Sequence, residues 1–337
     1  MRIDVNCSTV ADSEIFKTSR DMMSLTKTTT GIIIRWHLWR LGRDTQGAGN
    51  LEINTVCVVG AGTVGSQLAF QSALGGLAVT LTSRSQETID KGVANAERLL
   101  RRRVEKGTLD EAECEAAIGR VRTTTDLAEA LGGADIMVEA VAERLEVKQE
   151  IFRRAEAAAP AQTILATTSS TIEIQKLAPL TNRPEKCINA HFFNPVLLMD
   201  LVEVVRGPQT SDETIEATMA FARRVGRFPV LVQKESYGFI VNRIIFTAIR
   251  EALRLVDEGA ATPQDIDEAC VRGLNWPMGP VKLADFIGLD VIRDAWLLGR
   301  EEMRDEAWVP TAELARHVEA GELGMKSGQG FLEHKRK

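Results

Sequence analysis

In the segment NAHFFNPVLLMDLVEVV (residues 189–205), His191 stands twelve positions before Glu203, and both sit among apolar residues. Only four histidines serve the 337-residue chain. Imidazole exchanges protons near neutral pH, and a carboxylate beside it fixes the tautomer, orients the ring and stabilises the imidazolium after proton uptake. A glutamate flanked by Leu201, Val202, Val204 and Val205 calls for a partner, because an unpaired buried charge is expensive. General acid–base catalysis is the chemistry such a pair performs. A hydrogen-bonded core histidine is the ordinary alternative.

A second chemical signal lies upstream. Gly60-Ala61-Gly62-Thr63-Val64-Gly65 follows the β-branched run TVCVV and opens a helix. In such a loop the first glycine makes a tight turn and the second lets the backbone approach a pyrophosphate. The third allows close helix–strand packing, and the helix N-terminus attracts the phosphate charge. A flexible turn is the bland reading, but strand, helix and second strand all follow in the order a dinucleotide site requires. After the second strand, where an acid normally accepts the ribose hydroxyls of NAD, this chain has Thr82-Ser83-Arg84. Ser83 and Arg84 suit a 2′-phosphate, so the expected cofactor is NAD or NADP.

These residues need a scaffold. Strands are expected at TVCVVGAG, LAVTLTS, ADIMVEAV, TILATTS and CINAHFF, with helices between them and one helical stretch over residues 86–118. Alternating strands and helices predict an α/β fold, a Rossmann-type doubly wound parallel sheet. After PVLVQKES the period changes: GFIVNRIIFTAIREALRLVDEG reads as one long amphipathic helix, and Thr262-Pro263 as the cap of the next. An all-helical C-terminal domain follows. Residues 1–50 read as a polar, disordered extension, 51–235 as the cofactor-binding domain and 236–337 as a helical substrate and dimerisation domain.

Composition narrows the classes. A net charge of −6 argues against nucleic-acid partners. Five scattered cysteines without CxxC spacing give neither a disulfide framework nor a metal site, and suggest a reducing, cytoplasmic setting. No apolar run has the length of a membrane span. On RLLRRRVEKG, Arg98, Arg101 and Arg102 share one helix face, either solvated or poised for substrate phosphates.

EAVAERLEVKQEIF, HFFNPVLLMDLVEVV, GFIVNR, PMGPVKLADFIGLD and GMKSGQGF together resemble, in order and spacing, the L-3-hydroxyacyl-CoA dehydrogenase family, over residues 53–333. The resemblance implies a Rossmann-type domain, a helical domain that forms a homodimer, and an acyl-CoA or other acyl-thioester substrate between them. It places His191 on the catalytic base, Glu203 on its orienting carboxylate, and Ser170 and Asn242 on the groups that hold the reacting oxygen. It matches Glu143, Lys148 and Lys326 to cofactor contacts and Lys106 to the CoA phosphates.

Four departures stand against the family pattern: the missing acid after strand two, Tyr237 for a common proline, Thr168 for a usual asparagine, and Leu99 for a polar CoA contact. They leave a carrier-protein thioester and the reductive direction open. The nearest rival, an L-gulonate 3-dehydrogenase or lambda-crystallin relative, would act on a free hydroxy acid. HFFNPVLLMDLVEV and NWPMGPVKLADFIGLD favour the thioester branch. A non-catalytic cofactor-binding protein would need the glycine loop, but not Ser170, His191, Glu203 and Asn242 together.

Overall fold

The computed structural model describes residues 51–334, so the expectation for residues 1–50 lies outside the described residues. The sheet-forming part runs β1 (Thr55–Val59), α1 (Thr63–Leu74), β2 (Ala78–Thr82), α2 (Gln86–Glu105), α3 (Glu111–Gly119), β3 (Val121–Thr124), α4 (Leu127–Leu131), β4 (Ile136–Glu139), α5 (Leu145–Ala158), β5 (Ile164–Thr167), β6 (Cys187–Phe192), β7 (Leu201–Val205), α6 (Asp212–Arg224) and β8 (Phe228–Val232). The strands form one eight-stranded sheet in the order β3-β2-β1-β4-β5-β6-β7-β8. Chain order reverses on either side of β1, whose neighbours are β2 and β4, and ligands of such sheets bind in that crevice at the strands' C-terminal ends.

Alternation along β1 shows why both faces are covered. Val56 and Val58 join the core under α1 and α6, whereas Cys57 and Val59 join the one under α4 and α5. Buried on both sides, the strand carries an unbroken apolar run.

The sheet is not wholly parallel, as the sequence had suggested. β6 and β7 pair antiparallel, and β8 runs parallel to β7. Residues 193–200 are too short for the crossover that a parallel pair requires, so the chain folds straight back. The helical stretch expected over 86–118 is divided into two helices. Lys106 ends α2, Gly107 takes φ 66°, and Asp110 caps α3 by accepting from the Ala112 and Glu113 amides.

Beyond β8 the described chain is helical: α7 (Val241–Asp257), α8 (Pro263–Leu274), α9 (Pro280–Ile287), α10 (Leu289–Met303) and α11 (Ala312–Glu319). Phe246, Ile249 and Leu253 lie on one face of α7 by their spacing and meet Val281, Ile292 and Trp296 in a separate core. Thr262 caps α8 as expected, accepting from the Asp265 amide at 3.2 Å. No helix among the described residues is long and apolar enough to cross a membrane.

The linker over residues 233–240 is firmly attached. Glu235 accepts from the Ile174 amide and, at 3.2 Å, from that of Gln175. Tyr237, at the position of the common proline, donates its hydroxyl to the Ala295 carbonyl on α10. Its ring fills space that a side chain at Gly299 would occupy, since a Cβ there would lie 2.8 Å from it.

Candidate active site

The short return between β6 and β7 sets His191 directly opposite Glu203, both side chains on the same face of the sheet. Imidazole Nδ1 lies 2.9 Å from Glu203 Oε2. The other oxygen, Oε1, accepts the backbone N–H of Ile240 at 3.1 Å and of Val241 at 2.9 Å, at the start of α7. Glu203 is completely buried, and the amides of a helix N-terminus supply the positive potential its charge needs. Gly238 (φ 71°) and Phe239 (φ 48°) turn the linker so that those amides face the carboxylate. A left-handed phenylalanine is strained, and such strain persists where the surroundings over-determine it. Phe239 and Phe193 flank the imidazole at ring separations of 5.6 and 4.6 Å. Nε2 has no hydrogen bond among the described residues and is left for a ligand.

Two polar side chains each follow a residue that is hydrogen-bonded to this pair or to its strand. Asn242, in the first turn of α7, follows the amide that binds Glu203. Ser170 follows β5, and its loop is tied to β6 by Asn189, whose side-chain amide donates to the Ser169 carbonyl at 2.8 Å, two residues before His191. Both side chains are half-buried and without hydrogen-bond partners among the described residues. Capping of the turn, the ordinary role considered for Ser170, falls to Ser169, whose hydroxyl accepts from the Ile172 amide at 2.7 Å.

Ser169 also donates to Glu143, which accepts from the Thr171 amide and hydroxyl at 3.1 and 2.8 Å. Lys148, only 1% exposed, is 3.2 Å from Glu143 and 2.8 Å from Glu139. Burial alone would raise the Glu143 carboxyl, but Lys148 and the three hydroxyl and ammonium hydrogen bonds outweigh it and hold it below the usual carboxylate range. Glu139, fully buried at the end of β4, also accepts from Thr167 at 2.7 Å. The sequence reading passed over Glu139. Its signal was the same as that of Glu203: a carboxylate inside an apolar strand.

The glycine loop opens at the same edge of the sheet. Gly60 has φ 112°, and a Cβ on it would meet the Ala140 carbonyl oxygen at 2.5 Å; one on Gly65 would meet the Gly60 oxygen at 1.8 Å. At Gly62 a Cβ would meet nothing within 4 Å, so the backbone faces open space. Gly62 begins α1 without a side-chain cap, which leaves the first-turn amides for an anion. Gly60, Gly62, Ser83 and Arg84 line a cavity of about 300 Å³ there. These features fit a dinucleotide pyrophosphate. Arg144 and Arg154 line the same cavity and were not singled out in the sequence, although Arg144, Val147, Ile151 and Arg154 repeat at helical spacing.

Two expected site residues are not joined to this group by any contact among the described residues. Lys106 ends α2 in solvent, and Lys326 is paired with Asp290 in the helical part. On the arginine face of α2, Arg101 is taken up by Glu115 at 2.9 Å, while Arg98 reaches only Asn95. Leu99 packs with the apolar cluster that includes Phe70, Leu100 and Leu197. Cysteine chemistry is disfavoured, because burial pushes the Cys57 thiol up to about 12 and that of Cys187 to about 11.

Comparison with known proteins agrees with this architecture. Residues 55–236 match the family model for the 3-hydroxyacyl-CoA dehydrogenase NAD binding domain, and residues 238–334 the one for its C-terminal domain. A probable 3-hydroxybutyryl-CoA dehydrogenase of Bacillus subtilis is 40% identical over 85% of this chain and 99% of its own length. The 3-hydroxybutyryl-CoA dehydrogenase of Bradyrhizobium diazoefficiens is 38% identical over 84% of this chain and 96% of its own. The crystal structure of the (S)-3-hydroxybutyryl-CoA dehydrogenase of Ralstonia eutropha superposes with a TM-score of 0.82 at 38% identity, covering 85% of this chain and all of that one. With both family domains matched in order across the described fold, the chain belongs to the 3-hydroxyacyl-CoA dehydrogenase family.

Proposed function

We propose that the protein interconverts a short L-3-hydroxyacyl-CoA, of the 3-hydroxybutyryl kind, and its 3-ketoacyl thioester with NAD(P). The observation that carries this reading is the buried pair of His191 and Glu203, clamped by the first amides of α7 and leaving imidazole Nε2 unbound. In the oxidative direction Nε2 takes the proton of the 3-hydroxyl as the C3–H bond breaks and the C3–O bond becomes a carbonyl. The bound nicotinamide supplies the hydride acceptor or, in reverse, the donor. Glu203 holds Nδ1–H and thereby the tautomer, so the free electron pair stays on Nε2. Ser170 and Asn242 donate to the reacting oxygen as charge develops there. Glu143, held by Lys148, Ser169 and Thr171, forms the cofactor-side wall.

The proposed division into a cofactor-binding domain (51–235) and a helical substrate and dimerisation domain (236–337) is supported by the end of the last strand at Val232 and the start of α7 at Val241. Homodimer formation is supported by Ile244, Phe286, Val291 and Leu297, large apolar side chains exposed on α7, α9 and α10. Lys106 and Arg102 are offered to the CoA phosphates, and Lys326 to the cofactor. A reducing, cytoplasmic setting is supported by the free thiols of Cys57, Cys114, Cys187 and Cys270.

Steady-state reduction of acetoacetyl-CoA, with L-gulonate oxidation measured beside it, tests the proposal. The expected result is turnover of the thioester and little of the sugar acid. Faster turnover of L-gulonate would assign the free-acid branch instead.

A further inference from the structure

Three arginines, Arg84, Arg144 and Arg154, line the cavity at the glycine loop, and no aspartate or glutamate does. None of the three guanidiniums has an ion pair or hydrogen bond among the described residues. Other exposed arginines divide: Arg101, Arg272, Arg300 and Arg316 are each paired with a glutamate, and Arg102 and Arg122 are not among the described residues, so what sets these three apart is that they share one cavity. Three like charges kept unpaired around one cavity repel one another unless an anion enters.

The placement says which anion. Arg84 follows β2 by two residues, where a carboxylate would accept both hydroxyls of an adenosine ribose and repel a phosphate. On the same cavity, Arg144 at the N-cap of α5 and Val147, Ile151 and Arg154 within it form one stripe by their spacing, with an apolar centre suited to a purine face and a cation at either end. We propose that this cavity takes the adenosine end of the dinucleotide and selects the 2′-phosphorylated form, NADP(H). Arg84 is its principal phosphate ligand, and Arg144 and Arg154 add positive potential to the same cavity. The proposal deepens the dehydrogenase reading and rests on it only for the presence of a dinucleotide.

Calorimetric titration with 2′,5′-ADP and with 5′-ADP, in the absence of substrate, separates a 2′-phosphate site from general attraction to phosphate. Wild-type protein is expected to bind 2′,5′-ADP more tightly. Arg84→Ala should cut that affinity about ten- to a hundredfold, the usual loss of a charge-assisted contact, and leave 5′-ADP nearly unaffected. The double variant Arg144→Ala, Arg154→Ala should lower 2′,5′-ADP affinity by a smaller factor. All three side chains are exposed, so the variants should fold. Equal wild-type affinity for the two nucleotides would overturn the proposal. So would an Arg84→Ala loss of equal size for both, which would place that guanidinium on the pyrophosphate. Acetoacetyl-CoA turnover is a separate measurement, so failure of the dehydrogenase reading would be seen there and not in the nucleotide ratio.

Discussion

Glu203 and Glu139 are both glutamates in apolar strands of one sheet, and both are wholly buried. Their neutralisation differs. Glu139 faces the Lys148 ammonium, Thr167 and the Val141 amide, so every strong donor around it is used within the fold. Glu203 faces two backbone amides and an imidazole, and the imidazole has a second nitrogen without a partner. Burial of a carboxylate therefore does not mark catalysis. The distinguishing feature is whether its partner retains a free valence that can reach a ligand. Lys148 does not, and His191 does.

Breaking the open pair should have the largest effect. In Glu203→Gln the amide oxygen can still accept from Ile240 and Val241, but the amide nitrogen would donate to Nδ1 and force the proton onto Nε2. The expected outcome is a loss of about 10²–10⁴-fold in kcat, the usual weight of positioned acid–base catalysis, with the fold retained. His191→Ala should be at least as severe. Wild-type kcat in the glutamine variant would make Glu203 purely structural.

The closed pair should respond in stability. Lys148→Met leaves Glu139 buried without its cation, at an expected cost of about 3–5 kcal/mol in urea unfolding. Adding Glu139→Gln should recover much of that, because the unpaired charge is then gone. If the double variant is no more stable than the single, the pair is not the cause.

Adjacent serines repeat the contrast on a smaller scale. Ser169→Ala loses the turn cap and the bond to Glu143, and should cost about 1–2 kcal/mol of stability. Ser170→Ala touches no hydrogen bond of the described fold, so thermal stability should hold while kcat falls by about 10²-fold, as for a lost oxyanion donor. Parallel melting curves and kinetics on the two variants would show whether the roles are reversed.

A half-buried glutamate, Glu235, gives the smallest effect. Burial pushes the Glu235 carboxyl up to about 7, against the opposing hydrogen bonds from the Ile174 and Gln175 amides. Its folded pKa lies above its unfolded one, so its contribution to stability is complete below the ordinary carboxylate range and is lost as pH rises through 7. Glu235→Gln does not ionise. Relative to wild type it should gain roughly 1 kcal/mol, allowing for partial solvent screening, between about pH 5 and pH 8. A constant difference in melting temperature across that range would show that the carboxyl titrates normally.

Local signals made much of this molecule legible in advance. A strand, a glycine loop and a helix are set by residues within one short segment, so the dinucleotide-binding edge could be read from GAGTVG and the runs around it. Thr262-Pro263 likewise carries its own cap chemistry. The apolar setting of His191 and Glu203 announced a pair needing explanation, and the family motifs assigned the protein's chemistry.

Other features depend on residues far apart in sequence. Strand β7 was missed although LVEVV is a short apolar run like that of β1, because it reads as the setting of Glu203 and its pairing partner lies across a return of the chain. Its apolar neighbours could show that Glu203 was buried, but not what it would meet. Only the tertiary structure brought the amides of Ile240 and Val241 to Glu203, turned Lys148 onto Glu139, and brought Arg144 and Arg154 to the same cavity as Arg84. The physical reason is common to all three. A charge removed from water must find partners, and the sequence states the requirement while the packing of distant elements decides which partner meets it.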